Sequence, residues 1–262
     1  MRDAHEALTP TDEGLLGALR APGLAVLLYG SYARGDATPH SDIDLLQLVE
    51  ARTAHYTVGR VSVASYTSDE LTRLCRGGSL FGLHLVSEGR ILRDPTGLLA
   101  ETLAEYRAPK SYEPVWAELR VMAQIVATEA HYLPANPEGV VRLGLYLVRT
   151  AVILRHIEQL GRPVFSIPQL ASDLDLSDLE GLFDERENPS RLDWARLALA
   201  RRLLARLLGC DIRNPHGSLE AFAVNTEPSD PLAARVALRL LSGERTIGYG
   251  DLLLDVLIPA DE

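Results

Sequence analysis

The chain has 262 residues, of which 47% are hydrophobic and 24% charged, which is typical of a soluble globular protein with one large domain or two modest ones. Its formal net charge of -10 argues against a surface that binds the phosphate backbone of a long nucleic acid. The first residues carry acids where a signal peptide carries basic residues, and no apolar run reaches membrane-spanning length, so we expect a cytoplasmic protein without a membrane partner.

The first part of the chain alternates short apolar runs with short helical patterns. Thr11 is expected to open a helix over residues 11–20, which the following Pro-Gly pair ends. The runs "LAVLLY", "DIDLLQLVE" and "RVSVASY" predict strands, because they are short and bounded by turn residues. Ser68 is predicted to cap the helix "SDELTRL". The segment "GSLFGLHLVSEGRIL" predicts a helix that Gly89 ends, followed by one more short strand.

From about residue 111 the strand signals stop, and long helical patterns rich in leucine, alanine and arginine begin. The segment "PVWAELRVMAQIVATEAHY" places five apolar residues on one helix face, namely Trp116, Leu119, Met122, Ala123 and Val126. The segment "EGVVRLGLYLVRTAVILRHIEQLG" is apolar nearly all round, which predicts the central helix of a bundle. Ser190 with Asp193, and Asp230 before Pro231, are typical starts of two further helices.

These patterns predict an α+β chain in two domains. A small mixed-sheet domain is expected over residues 1–110, and an all-helical bundle domain over residues 111–262. Two cysteines, Cys75 and Cys210, lie far apart and outside any metal-ligand spacing, so both are predicted to be small core residues.

Several polar residues in the helical patterns are interpreted as structural. Arg142, Arg149 and His156 recur every seven residues on the central helix, where they could aim cations at a triphosphate but are expected to form its solvated stripe. The segment "RRLLAR" at residues 201–206 is likewise expected to be a solvated helix face. His84 lies in an apolar stretch and is predicted to be a hydrogen-bonded core histidine.

The strongest chemical signal is "LLYGSYARGDATPHSDIDLLQLV", residues 27–49. Gly30 lets the backbone turn closely at the end of a strand, and Ser31 opens a helical turn whose amides suit phosphate oxygens. Asp42 and Asp44 alternate with an isoleucine in the next strand, so both carboxylates are expected to face one way. Two adjacent carboxylates are costly unless a cation lies between them, which predicts a divalent metal ion held together with a nucleotide triphosphate.

The residues "GSYARGDATPHSDIDL" resemble the signature of the DNA polymerase beta-like nucleotidyltransferase superfamily. The "ARG" and "SDID" elements are similar to those of its small bacterial members, which include antibiotic nucleotidyltransferases and minimal enzymes that modify toxin partners. The resemblance implies a small mixed sheet, often followed by a helical domain that shapes the acceptor site. It also implies that Asp42 and Asp44 are catalytic and bind Mg²⁺.

The same resemblance assigns the nucleotide contacts. It implies that Gly30 and Ser31 hold the β and γ phosphates, and that Ser41, in the "SDID" element, belongs to the same binding site. Arg34 either approaches the phosphates or braces the loop through Asp36, and the sequence does not choose between these roles.

One acid of the superfamily pattern is replaced in this chain. A third carboxylate normally lies on a later strand, here "RVSVASY", and the position that aligns with it is Ser62. A serine neither accepts a proton near pH 7 nor adds negative charge for a second metal ion, so the usual two-metal site lacks one of its acids. A substitute base could come from another residue, the strand could be misaligned, or the protein could bind nucleotide without turnover. The candidate substitutes are Asp69, Glu70, Glu88, Glu129, His131 and Glu138.

Two functions remain open from the sequence. The first is Mg²⁺-dependent transfer of a nucleoside monophosphate, AMP from ATP as the first choice, to a hydroxyl of a small molecule or a protein, with release of pyrophosphate. The alternative is a catalytically impaired nucleotidyltransferase fold that acts as a nucleotide-binding or partner-binding regulator. Ser62 favours the alternative, whereas the intact "GS" and "DID" favour the enzyme.

Overall fold

The computed structural model describes residues 11–20, 23–39, 41–134, 137–183 and 194–243. The chain forms two compact units, Met1–Pro109 and Lys110–Glu262. Over the described ranges, the first unit holds a mixed sheet with helices and the second holds helices without strands, so the predicted α+β class is confirmed. In this part of the chain, no helix combines the length and apolar character needed to cross a membrane.

The sheet of the first unit has five strands: β1 (Ala25–Tyr29), β2 (Ile43–Leu48), β3 (Tyr56–Val58), β4 (Val61–Tyr66) and β5 (Arg90–Arg93). Their order across the sheet is β3-β4-β2-β1-β5. β2 and β4 are parallel, and the other neighbouring pairs are antiparallel. The four predicted strands are confirmed. β3 was not predicted from the sequence, because it is three residues long and mostly exposed and therefore carries no apolar run.

The described helices of the first unit are α1 (Asp12–Gly17), α2 (Ser31–Arg34), α3 (Ser68–Arg76), α4 (Leu80–Glu88) and α5 (Leu98–Ala104). Thr11 caps α1 as predicted. The predicted cap of α3 is wrong, because Thr67 rather than Ser68 takes that position. Thr67 accepts from the amide of Glu70, and the Glu70 carboxylate accepts from the amide of Thr67 at 2.9 Å. This reciprocal capping box satisfies two backbone donors, which a cap at Ser68 would not do.

The two faces of the sheet pack against different helices. On one face, a buried cluster joins Leu15 of α1 to strand residues Val26, Leu28, Ile43, Leu45 and Val63. Tyr29 and Tyr66 have the opposite strand parity, and their rings contact Phe81 of α4. Asp44 alternates with the buried residues on either side of it, so it lies on the face that α4 covers.

The described α-helices of the second unit are α6 (Glu113–Val126), α7 (Glu138–Leu160), α8 (Ile167–Asp173), α9 (Ser177–Phe183), α10 (Trp194–Leu208), α11 (Leu219–Thr226) and α12 (Pro231–Leu241), and a short 3-10 helix spans Ala130–Tyr132. The five apolar residues predicted on one face of α6 are all buried. α7 packs against α6, α8 and α10, as expected of a central helix. Asp230 caps α12 by accepting from the amide of Ala233. The predicted start at Ser190 and Asp193 lies outside the described residues.

For three side chains of the second unit, the environment predicted from the sequence is wrong. His156 is fully buried rather than on a solvated stripe. Arg201 is half-buried and donates to the carbonyls of Val126 and Thr128, so it is not part of a solvated face. It therefore satisfies carbonyls at the carboxyl end of α6. Cys210 is exposed rather than in the core. Helical spacing gives the direction of a side chain but not the partner that it meets.

Candidate functional site

The site is built around the turn that ends β1. Gly30 has a φ of +74°, in the left-handed region that favours glycine. A Cβ at Gly30 would lie 2.6 Å from Oδ2 of Asp44, so a side chain at this position would collide with the carboxylate. The amide of Arg34 donates to the Gly30 carbonyl at 3.1 Å. The amides of Ser31 and Tyr32 come earlier in the chain than this hydrogen bond, at the start of α2. They are the backbone donors that an anion at the turn would meet.

The two aspartates lie at the amino-terminal end of β2. Asp42 directly precedes the strand and is exposed, whereas Asp44 is its second residue and is half-buried. Between them Ile43 is buried in the core, as predicted. Asp44 is the antiparallel partner of Tyr29 and the parallel partner of Ser62. The strand register therefore places the Asp44 carboxylate beside the end of β1 on one side and a serine on the other.

No acid stands beside Asp44 on β4. The neighbours of Ser62 are Val61 and Val63, so a shift of the alignment by one residue would not supply a carboxylate either. Among the described residues, no group of three or more His, Cys, Asp or Glu side chains is arranged to hold a metal ion. Asp42 and Asp44 offer carboxylate oxygens, the type of ligand that a hard divalent cation accepts together with phosphate oxygens or water.

The side chains considered as substitute bases are mostly occupied by other contacts. The Glu70 carboxylate accepts from Thr67 and lies 3.4 Å from Nε of Arg52, so it serves as a helix cap and ion-pair partner. Asp69 is exposed on α3. Three of the six candidates belong to the second unit, namely Glu129, His131 and Glu138.

Glu88, the remaining candidate, takes part in a network of charged side chains. Arg34 donates through Nη1 to Oε2 of Glu88 at 2.7 Å and through Nε to Asp36 at 3.1 Å. Nε2 of His84 lies 2.9 Å from the same Glu88 oxygen. His84 is buried, which confirms the prediction of a hydrogen-bonded core histidine. The contact between Arg34 and Asp36 is the loop-bracing arrangement that the sequence left open.

The network keeps Glu88 ionised. Burial opposes the charged form, but the hydrogen bonds from His84 and Arg34 outweigh it and lower the pKa of Glu88 below its ordinary value. An ionised carboxylate only accepts, so Nε2 of His84 is the donor in this contact. With two donors on one oxygen, Glu88 is a poor proton acceptor and a good anchor for Arg34.

A further arginine organises the loop before Asp42. Arg60, in the turn between β3 and β4, donates to the carbonyl of Ser41 and to the hydroxyl of Tyr32 at 3.2 Å. The Ser41 hydroxyl accepts from the amide of Thr38 at 2.9 Å. These contacts tie the loop to α2. Sequence reasoning missed Arg60 because β3, and hence the turn that carries it, has no apolar signal.

Comparison with known protein families finds a match in the region of the chain that carries the candidate site. Residues 15–73 match the model of the nucleotidyltransferase domain family. The matched segment contains the Gly30 turn, both aspartates and Ser62, and it leaves the second unit outside. No curated protein matches the chain significantly. Members of this family generally use a nucleoside triphosphate and a divalent metal ion. The chain therefore carries a nucleotidyltransferase domain, in agreement with the DNA polymerase beta-like superfamily that its signature resembles.

Proposed function

We propose that the protein is a Mg²⁺-dependent nucleotidyltransferase that moves a nucleoside monophosphate, AMP from ATP as the first choice, onto a hydroxyl and releases pyrophosphate. The observation that carries the proposal is the approach of the Gly30 turn to Asp44, where a Cβ would lie 2.6 Å from the carboxylate. Such an approach brings backbone amides that suit phosphates next to a carboxylate that suits the accompanying cation. The nucleotidyltransferase match over residues 15–73 supports the reaction class.

Each site residue has a distinct role in this proposal. Gly30 and Ser31 hold the β and γ phosphates through the turn, and Arg34 adds a positive charge beside them. Ser41 fixes the loop that leads to the aspartates through its contact with Thr38. Asp42 and Asp44 would hold Mg²⁺, which when bound neutralises phosphate charge and aligns the α-phosphate.

The transfer forms one bond and breaks another. The acceptor oxygen bonds to the α-phosphorus, and the bond from that phosphorus to the oxygen bridging to the β-phosphate breaks, with its electron pair leaving on pyrophosphate. The proton of the acceptor hydroxyl passes to water. A neutral Ser62 beside Asp44 does not take it near pH 7, so we expect a rate lower by on the order of 10²- to 10⁴-fold than with a general base.

The acceptor is proposed to be a hydroxyl of a small molecule or a protein. A net charge of -10 disfavours long nucleic acid and suits a cationic acceptor. The size of the second unit is compatible with either acceptor class.

A second function is favoured by one observation. Ser62 occupies the strand position next to Asp44, where a third carboxylate would complete the acid set. A nucleotidyltransferase fold with this substitution could bind nucleotide without turnover and act as a nucleotide-dependent or partner-binding regulator. This candidate predicts metal-dependent binding without pyrophosphate release.

Pyrophosphate release from ATP, GTP, CTP and UTP tests whether the protein is a nucleotidyltransferase or a nucleotide-binding regulator. The assay compares the wild type with the double variant Asp42→Asn, Asp44→Asn, with and without Mg²⁺, in the presence of small hydroxyl acceptors including aminoglycosides. Glu101→Gln, an exposed change on α5, is the matched control. The enzyme proposal expects Mg²⁺-dependent release by the wild type and the control but not by the double variant. Binding of nucleotide without release under every condition would support the regulator instead.

A further inference from the structure

The charged network of Arg34, Asp36, His84 and Glu88 includes the last residue of α2, the short helix that begins at the Gly30 turn. We propose that Glu88 and His84 are positioning residues, which hold the Arg34 guanidinium in the orientation that contacts the triphosphate. This inference rests on the proposed function and assigns the two α4 residues to the nucleotide site. The two partners come from distant segments, since Arg34 and Glu88 are 54 residues apart in the chain.

Glu88 is a rigid anchor because of where it lies. It is the last residue of α4, and β5 begins two residues later with Arg90 as the partner of Leu28 in β1. At the intervening Gly89, a Cβ would collide with the Leu85 carbonyl and would lie 2.8 Å from the Leu27 side chain. The end of α4 therefore packs closely against the strand that leads into the Gly30 turn, which places Glu88 at a fixed point beside that strand.

His84 is fixed against the same strand. Its ring meets the ring of Tyr29 edge-on, with centroids 5.5 Å apart, and Phe81 approaches Tyr29 at 5.7 Å in the same manner. Tyr29 is the residue directly before Gly30. The His84 ring therefore packs against Tyr29, while its Nε2 donates to Glu88. These two contacts fix both the position and the orientation of the Glu88 carboxylate.

Arg34 retains donors for a ligand. Its contacts use Nε, which faces Asp36, and Nη1, which faces Glu88. A guanidinium carries five N–H donors, so Nη2 and the second hydrogen of Nη1 can bind phosphate oxygens. The Arg34 side chain is only 18% exposed, and its Glu88 partner 13%. Because the orientation is set before a ligand arrives, less conformational entropy is lost on binding.

A double-mutant cycle measures whether Glu88 acts through Arg34. Affinity for ATP with Mg²⁺ is determined by calorimetry for the wild type, Arg34→Ala, Glu88→Ala and the double variant. Arg34→Ala is expected to weaken binding about 10- to 100-fold, as for a lost hydrogen bond to a charged group. Glu88→Ala is expected to weaken it about 3- to 10-fold, and the double variant no more than Arg34→Ala alone.

Three further measurements separate positioning from general damage. Glu88→Gln keeps the side-chain shape and one acceptor, so its ATP affinity is expected between those of the wild type and Glu88→Ala. AMP lacks the β and γ phosphates, so its affinity is expected to be unchanged in all these variants. Glu105→Ala removes an exposed ion pair with Arg76 in the same unit and is expected to bind ATP as the wild type does.

Two results would overturn the inference alone. One is equal ATP affinity of Glu88→Ala and the wild type, and the other is a loss in the double variant equal to the product of the single losses, since Glu88 would then act independently of Arg34. A wild type that binds no ATP with Mg²⁺ would overturn the proposed function together with this inference, and the first titration alone identifies that case.

Discussion

Gly30 and Gly35 flank α2 and share a left-handed backbone, with φ of +74° and +81°, but their surroundings differ. A Cβ at Gly30 would meet the Asp44 carboxylate at 2.6 Å, whereas a Cβ at Gly35 would meet nothing within 4 Å. Both positions penalise an L side chain through the backbone, and Gly30 alone adds a collision inside the site. Comparing the same substitution at the two glycines therefore separates the effect of backbone strain from the effect of a collision with Asp44.

We predict that Gly30→Ala and Gly35→Ala each lower the free energy of unfolding, by about 1–3 kcal/mol and about 1 kcal/mol respectively. Gly30→Ala is also expected to lose Mg²⁺-dependent ATP binding, because the added methyl group displaces Asp44 or the turn. Gly35→Ala is expected to keep it. Urea unfolding and calorimetry on both variants check this. Equal ATP affinities of the two variants would contradict the role given to Gly30.

Ser62 is the residue whose chemistry limits turnover in the proposed enzyme. It is the parallel partner of Asp44, so a carboxylate at this position would lie next to an acid that we propose as a metal ligand. We predict that Ser62→Asp raises Mg²⁺-dependent pyrophosphate release by roughly 10- to 100-fold, within the range that general bases contribute. Ser62→Asn, which is similar in size but uncharged, should give no gain. A loss of ATP binding in Ser62→Asp, or an equal rate in both variants, would contradict the assignment of this position.

At the scale of elements, a buried histidine joins α7 to α8. His156 lies 2.9 Å from the carbonyl of Arg162 through Nδ1 and 2.9 Å from Asp173 through Nε2. When Asp173 is ionised its carboxylate only accepts, so Nε2 of His156 is the donor in this contact. The hydrogen bond from His156, with a further effect from the Arg162 charge, lowers the pKa of Asp173. The end of the central helix is thereby tied to the helix that follows it.

This contact gives a pH dependence with a defined sign. A carboxyl with a lowered folded-state pKa stabilises the fold above its unfolded pKa of about 3.9 and loses that contribution as the pH falls through the folded value. We predict that Asp173→Asn is less stable than the wild type at neutral pH, and that the difference shrinks from about pH 5 to about pH 3.

Urea unfolding across this range measures the Asp173 contribution. Asp211→Asn, which removes an exposed ion pair with Arg213, is the control and should differ little from the wild type at any pH. A difference between Asp173→Asn and the wild type that grows on acidification would contradict the account.

At the scale of the whole molecule, the sequence predicted the elements that carry a strong apolar pattern. β1, β2 and β4 are short buried runs, and α6 and α7 are long helices with clear apolar faces, so hydrophobic periodicity finds them. β3 and α5 escaped prediction because they are short and are held by tertiary contacts rather than by their own pattern. The cap at Thr67 was missed by one residue, since Ser68 is an equally good cap by type.

The site could be predicted only as far as contacts are local in sequence. The spacing of Gly30 and Asp44 predicted that a turn and a carboxylate belong together. The partnership of Arg34 with Glu88 joins residues that no periodicity relates, and only the packing of α4 against β1 brings them together. The burial of His156 has the same cause, because its partner Asp173 comes from another helix.

The central claim is that Asp42 and Asp44, beside the Gly30 turn, bind a divalent cation together with a nucleotide triphosphate. Calorimetric titration of ATP into the wild type, Asp44→Asn and the control Glu101→Gln, each with and without Mg²⁺, tests it most directly. We predict Mg²⁺-dependent binding by the wild type and the control, and affinity at least about 10-fold weaker in Asp44→Asn. Binding that is equally tight without Mg²⁺, or unchanged in Asp44→Asn, would contradict the claim.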